Sequence, residues 1–552
     1  MSRTAFMPSG FLLEVPMMIH ERNEHYRYGS AAFAERRELA DAGFFRQTPT
    51  SLFVGFFDGQ PLWYHGAGGL LLTAGARSGK LRDILAYNLC SGTFSGGSLL
   101  ALDMKGELAA ISQDQTPDQK FCAYWNPLGL HGLPRNRLNP VSYIRQGSNT
   151  LVSDVKVFTE NMIPLSGSAN AQYFEMRARD ILEGTILTLV EKHGTLTLPD
   201  LYHAVNLIPG AGEEWLDFAY LMHTSAFPVA VRVEEEINRS RKDNAGGFQG
   251  ILGEVFKALS CLSDPVLMGS VSPPYDFDMD ALTDLQQRWQ VYLMPPAEFV
   301  DAWAPVIKAI FVSAMIYKSR APSAPQQTWI LDECAQLNNF PLVVKLFTYG
   351  AGIGIRPWAV FQSTEQMNAL GPNAKTIITS SAALQIYFAL REIGSAKDVS
   401  TMLGTQTLEF NDTLQQGQSR LAKSRILQSL LTGEDPLGAG IAFGHYKQAE
   451  HHRSKQMRPL QTPDEVLNAR PDAAFIFADA LQHPVFAQRQ PYYQQSFMAG
   501  RFHPNPYHPP ADKVRVTLGF GRTRWLSVKR ESVPHRFAHY PQYVGGEWSV
   551  LR

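Results

Sequence analysis

Net charge is nearly absent from this sequence. Its 50 Lys and Arg offset 51 Asp and Glu across 552 residues, so no overall field draws the chain toward nucleic acid or an anionic membrane, and any such binding must come from local patches. Cysteine is scarce. Cys90, Cys122, Cys261 and Cys334 stand far apart, with no CxxC pair and no His at metal-ligand spacing. This excludes a disulfide scaffold or zinc module and fits a reduced, cytosolic compartment. Long apolar runs are missing too: none reaches the roughly 18 uninterrupted residues of a membrane helix. The N-terminal apolar patch is broken by Glu14 and Pro16, so no signal peptide is expected. No internal repeat is evident. What remains is a 45% hydrophobic composition, ample for a large core and two or three domains.

"SLLALD" at 98 to 103 is a short apolar run ending in Asp, and "TWILDE" at 328 to 333 repeats the arrangement with a second acid. Both read as buried parallel strands. Further candidate strands begin at Val291, Pro357, Leu384, Gly440 and Ala474. Strands this apolar, separated by helical stretches, predict an α/β core with both faces covered. Between the strands at 98 and 291, "FEMRARDILEGTILTLVEK" sets Phe174, Ala178, Ile181, Leu182, Ile186, Leu189 and Val190 on one helical face. The expected organisation is an N-terminal segment and first part of the core (1–164), an all-α insertion (165–275), a second part of the core (276–505) and a tail (506–552). The tail is rich in Pro, aromatic and basic residues and reads as packing on the body or on a partner. The linker-like piece within the core is "SRAPSAPQQ" at 319 to 327.

"LLLTAGARSGKLRD" places a small-residue turn between an apolar strand and a helix. A phosphate loop needs a flexible turn whose N–H groups encircle the phosphates, a Lys for the β and γ phosphates, and a helix N-terminus facing the anion. Gly75, Ala76, Arg77, Ser78, Gly79, Lys80 and Leu81 are the candidate nucleotide contacts, although Leu81 stands where a Mg²⁺-holding Ser or Thr is usual. An ordinary strand-to-helix turn with a solvated Lys remains the alternative. Asp332 and Glu333, ending an apolar strand, suit a metal ligand and a base for the attacking water; a solvated helix cap is the plainer reading of the pair. Gln362, just past the next strand, suits γ-phosphate sensing or water orientation, or is a surface Gln.

The segment "LLALDMKGELAAIS" (99–112) resembles the Asp-x-Lys-Gly-Glu segment of the type IV secretion coupling proteins, the TraG/TraD-type ATPases of conjugation. "YGSAAFAERRELADAGFF" (28–45) resembles the family's opening and "YWNPLGLHGLPRNRLNPVSYI" (124–144) its Asn-Pro-rich continuation. The stretch from Thr328 to Met367 resembles its acidic strand, Gly-Ile-Arg turn and Gln motif, and 458 to 478 its closing segment. The resemblance runs collinearly over about 25 to 505. It implies a RecA-like P-loop NTPase domain with an inserted all-α domain, binding ATP and Mg²⁺. It further implies a homo-hexamer at the cytoplasmic face of the inner membrane. That ring would hand relaxase-bound single-stranded DNA or effector proteins to a secretion channel, alongside the inner-membrane and ATPase components of the machine.

Three departures stand out. Relatives usually open with a transmembrane hairpin; this chain enters the body almost at once, so membrane association through partners, or a start further upstream, is expected. Leu81 cannot ligate Mg²⁺. Arg391-Glu392 replaces a usual Asn-Asp, making Arg391 a candidate finger into a neighbouring subunit's site, with Arg356 the other candidate. Against these, Arg356 bracing a strand end and a solvated Arg391 are the alternatives. The basic cluster His445 to Arg458 is the one patch with an aromatic suited to a DNA path; a solvated loop is the alternative. A weakly hydrolysing docking scaffold of the same machine is the competing function, favoured by Leu81.

Overall fold

The computed structural model describes residues 26–90, 96–113, 121–166, 168–210, 212–243, 245–411, 421–422, 424–426, 428, 453–498, 501–507, 513–517, 522–540, 543 and 546–552. The expected strand from Gly440, the first eight residues of the basic cluster including His451 and His452, and the N-terminal patch lie outside these. The chain divides into two compact units, 1–32 with 396–466, and 33–395 with 467–552.

The larger unit is organised on an 11-stranded sheet. Its strands are β1 (Leu52–Phe57), β2 (Gln60–Tyr64), β3 (Leu70–Ala74), β4 (Ser98–Leu102), β5 (Phe121–Trp125), β6 (Trp289–Leu293), β7 (Gln327–Leu331), β8 (Ile355–Phe361), β9 (Leu384–Phe388), β12 (Ala473–Ala478) and β13 (Val485–Gln488). The spatial order is β2-β1-β13-β12-β9-β3-β8-β7-β4-β6-β5. From β9 to β5 every pairing is parallel, whereas β12, β13, β1 and β2 add antiparallel strands on one side. Strands β3, β4, β7, β8 and β9 are buried along their whole length. That burial explains their unbroken apolar sequence: helices cover both faces, so no alternation survives.

Between β5 and β6 the described residues from Leu151 to Ser270 are mostly helical, in successive helices joined by turns. The long helix Ala169–His193 buries Ala178, Ile181, Leu182, Ile186, Leu189 and Val190 of the face its periodicity predicts, leaves Phe174 half-buried, and ends at Gly194, whose φ of 81° suits the residue after a helix C-terminus. The helix Val300–Arg320 lies within Ala297–Arg320, a stretch long and apolar enough to cross a membrane. Yet 61% of its most apolar window is buried inside the fold, where Trp303, Val306, Ile307, Ile310, Phe311 and Ala314 join the core. It is a core helix.

The C-terminal region packs on the body. Phe537, Tyr540 and Tyr543 belong to the same buried cluster as the β1 to β3 side chains, and the His503 N–H donates to the Ile111 carbonyl at 2.8 Å. A three-stranded antiparallel sheet, β14 (Lys513–Thr517), β15 (Thr523–Ser532) and β16 (Glu547–Leu551), completes this unit. In the smaller unit, β10 (Thr405–Asn411) and β11 (Arg453–Pro459) form an antiparallel ladder, and Gly29 lies against Thr405. The Arg453 to Arg458 end of the basic cluster is therefore strand rather than loop.

Candidate functional site

Strands β3, β8, β7 and β4 lie side by side and parallel. Their C-terminal ends therefore bring together Gly75–Lys80, Gln362, Asp332-Glu333 and Asp103-Lys105. Ligands gather at this edge of a parallel sheet, beyond the carboxyl ends of the strands.

The loop after β3 has the backbone of an anion cradle. Arg77 and Gly79 take φ of 56° and 90°, left-handed positions of the kind that form anion-binding turns. The Gly75 N–H donates to the Ala389 carbonyl at 3.3 Å, and a Cβ on Gly75 would lie 2.6 Å from that oxygen; only glycine fits there. Ser78 Oγ is buried without a hydrogen-bond partner. Lys80 then opens a π-helical turn, Leu81–Leu85, that runs into the α-helix Ala86–Cys90. Leu81 is half-buried against the core, so its side chain is occupied in packing.

Charge converges on Lys80. Burial pulls its ammonium below the ordinary lysine value; Asp332 and Glu333 oppose that pull, while Lys105 adds to it. Asp332 is half-buried, and desolvation in its surroundings pushes its carboxyl up to about 6 despite Lys80 and Lys105. An acid whose ionised form is penalised by burial gains from a nearby cation. Glu333 adopts φ 50°, ψ 40°, an uncommon backbone for a non-glycine residue and one found at functional turns. Its Oε1 accepts from Lys105 Nζ at 3.1 Å and its Oε2 from Gln336 Nε2 at 2.8 Å. Asp103 caps the helix Glu107–Ser112, accepting from the Glu107 and Ala109 N–H groups at 3.1 and 2.8 Å.

Gln362 sits between the phosphate loop and the acidic pair in strand order, its N–H held by Gln366 Oε1 at 2.8 Å. Arg391 follows β9 and lies beside the phosphate loop of its own chain: a Cβ on Gly75 would be 3.4 Å from its Cγ and Cδ. Glu392 caps the next helix, accepting from Gly394 N at 2.6 Å and Ser395 N at 2.9 Å. Arg356 lies at the opposite end of β8. It is 2% exposed and donates to the carbonyls of Gly66 and Thr50 at 3.0 Å each and to Thr328 Oγ1 at 3.2 and 3.0 Å. This is the strand-bracing role, remote from the site.

Sequence reasoning missed the support beneath the loop. Arg489, just past β13, donates to the Ser78 carbonyl at 3.0 Å and to Asp83 Oδ2 at 2.6 Å, and also bonds the Pro471 and Ala473 carbonyls. Its guanidinium lies 3.9 Å from the Phe388 ring centre. Arg82 holds Asp83 from the other side at 2.6 Å. The "LRD" following Lys80 signals an acid at this turn, but nothing local points to a partner some 400 residues on.

The residues fit a nucleotide with a divalent ion: a loop with left-handed positions in which only glycine fits at Gly75, an orphaned buried hydroxyl, one Lys, and a desolvated carboxyl whose ionisation a cation favours.

The model of a family described as type IV secretory system conjugative DNA transfer matches residues 24–430. The conjugal transfer protein TraG of Escherichia coli is 23% identical over 484 residues, covering 80% of this chain and 71% of that protein. Protein VirD4 of Rhizobium radiobacter is 24% identical over 422 residues, covering 73% of this chain and 58% of its own length. Among solved structures, the plasmid coupling protein TrwB in complex with ADP and Mg²⁺ superposes with a TM-score of 0.54 at 15% identity. That match covers 84% of this chain and 97% of TrwB. An unbound form of the conjugative coupling protein TrwB gives 0.56 at 16% identity, with the same coverage. The shared fold is the RecA-like P-loop NTPase with an all-α domain.

Proposed function

Because the chain belongs to the type IV secretory system conjugative DNA transfer family, we propose that it is an ATP-hydrolysing coupling protein that recruits substrates to a type IV secretion or conjugation channel. The observation that carries this reading is the convergence of the Gly75–Lys80 loop, Asp332 and Glu333 at the same end of the parallel strands β3 and β7, which flank β8.

In this reading the backbone from Gly75 to Lys80 holds the phosphates and the Lys80 ammonium meets the β and γ oxygens. Asp332 would hold Mg²⁺, which when bound would supply charge neutralisation at the phosphates. Glu333 accepts the proton of the attacking water, and Gln362 orients that water. Arg391 supplies a positive charge near the transferred phosphoryl group, in its own subunit or a neighbour's. The working form is a homo-hexamer peripheral to the inner membrane, attached through other components of the machine. Its cargo is relaxase-bound single-stranded DNA or effector proteins. The helical block near 165–275 is a separate domain, the core spans 1–164 and 276–505, and residues beyond 505 form a tail.

The test is Mg²⁺-dependent ATP turnover by the purified chain. Lys80→Ala is expected to lose nucleotide binding. Glu333→Gln should bind normally and lose about 10²- to 10⁴-fold in rate. Absence of turnover in the parent, even assembled with DNA or membrane partners, would sink the motor reading.

Leu81 favours a second reading, a weakly hydrolysing or pseudo-ATPase docking scaffold. The discriminating variant is Leu81→Thr, which restores a hydroxyl. A gain in Mg²⁺-dependent turnover would identify position 81 as the limit on metal binding; an already fast parent with no gain would remove this reading.

A further inference from the structure

Lys105 is given no task by the scheme above, yet its side chain touches the general base. Its Nζ is 3.1 Å from Glu333 Oε1, while Gln336 Nε2 takes the other oxygen at 2.8 Å. Donors from two separate segments thus fix the plane of the carboxylate. The αL backbone of Glu333 starts the side chain in the right place but leaves its remaining torsions free.

Lys105 is anchored at its base. Its carbonyl accepts from the Tyr507 hydroxyl at 3.2 Å and is met by His131 Nε2 at 2.6 Å; the His131 and Tyr507 rings themselves meet edge to face at 5.3 Å. Gly106 follows with φ 66°, and a Cβ there would lie 2.8 Å from both His131 Cδ2 and Met294 Cε. Glu107 is held through its side chain by Asn505 Nδ2 at 2.5 Å. Three stretches of chain therefore pin this turn, although the Lys105 side chain remains 53% exposed. A surface lysine of ordinary function does not need such a foundation, because a solvated four-carbon stem finds its own place.

We propose that Lys105 is a positioning residue for Glu333: it holds the carboxylate in the orientation that receives the water's proton, acting through Glu333 and not on the phosphates. A base misplaced by about 1 Å costs on the order of 100-fold in rate, so the effect belongs in kcat. The inference rests on the reading of Glu333 as the base for ATP hydrolysis.

The experiment measures steady-state ATP hydrolysis and equilibrium ATP binding on the full chain for the parent, Lys105→Ala, Lys105→Arg and Glu333→Gln. Lys105→Ala is expected to lower kcat by about 10- to 100-fold with KM and ATP affinity within about twofold of the parent. Lys105→Arg should recover a large part of the rate, and Lys105→Ala should add no further loss in a Glu333→Gln background. A kcat for Lys105→Ala equal to or above that of the parent overturns the proposal, the latter by making the pair a restraint. So does a loss confined to ATP affinity, which would make Lys105 a phosphate ligand. If the parent turns over and Glu333→Gln does not, either result removes only the role of Lys105. A parent without turnover removes the ATPase reading and this inference together.

Discussion

Arg489 and Asp83 form an ion pair at 2.6 Å beneath the phosphate loop, each side chain 2% exposed. Removing one member of such a pair strands the other charge in the interior, at about 3–5 kcal/mol. Arg489→Ala should therefore lower unfolding stability by that amount and weaken ATP binding, since the Ser78 carbonyl loses its clamp. Adding Asp83→Leu should recover most of the stability and little of the affinity, which denaturant unfolding and nucleotide titration together would reveal. Asp103 gives a pH signature. Burial raises its carboxyl from the ordinary 3.8 up to about 7, so the folded chain keeps a proton that the unfolded chain has released. Between about pH 4 and 7 the folded state then binds more protons, and its stability falls as pH rises, levelling off above 7. Asp103→Asn should flatten that slope in unfolding curves taken at stepped pH; an unchanged slope would count against the assignment. Leu81→Thr, besides its effect on turnover, gives up half-buried apolar surface and should cost about 1 kcal/mol.

At the scale of elements, the strands ending in function were legible. β3, β4, β7 and β8 are short apolar runs punctuated by a Gly-Lys turn, an Asp, an Asp-Glu and a Gln, and burial on both faces is what makes such runs continuous. The helix Ala169–His193 was legible from its period. The hairpin β1-β2 was not, and neither was the antiparallel setting of β12 and β13. β1 joins the sheet through Phe56 and Gln488, separated by most of the chain, and register of that kind is decided by tertiary packing rather than local pattern. Asn88 shows the difficulty: its side-chain amide bonds both the N–H and the carbonyl of Phe53, at 2.8 and 2.9 Å, tying the loop's helix to β1 in a way no spacing rule anticipates. The candidate catalytic residues were legible as residue types. Lys105 stood in a quoted motif without a role, because its partner Glu333 is 228 positions away.

At the scale of the whole molecule, the C-terminal region is part of the interior. Phe537, Tyr540 and Tyr543 share the core that backs β1 to β3, and Tyr507 and Asn505 reach the Lys105 turn. Ending the chain after residue 507 should leave the parallel sheet intact and expose that core, lowering the unfolding temperature by several degrees, measurable by calorimetry. Ending it after residue 500 should in addition slow ATP turnover, through release of the Lys105 turn.

The sheet order also dictates a schedule at the ribosome. Among the described residues β1 and β2 reach the rest of the sheet through β13, and the phosphate loop leans on Arg489. A nascent chain that has made its nucleotide loop must extend by about 400 residues before either partner exists, on the order of 20–80 seconds at ordinary elongation rates. Throughout that interval the β1-β2 hairpin has no strand to pair with at its inner edge, the situation in which exposed edges recruit chaperones or one another. The clamp on the nucleotide loop is thus completed only when residue 489 has been made, so fragments that end before it are expected to bind ATP more weakly than the whole chain.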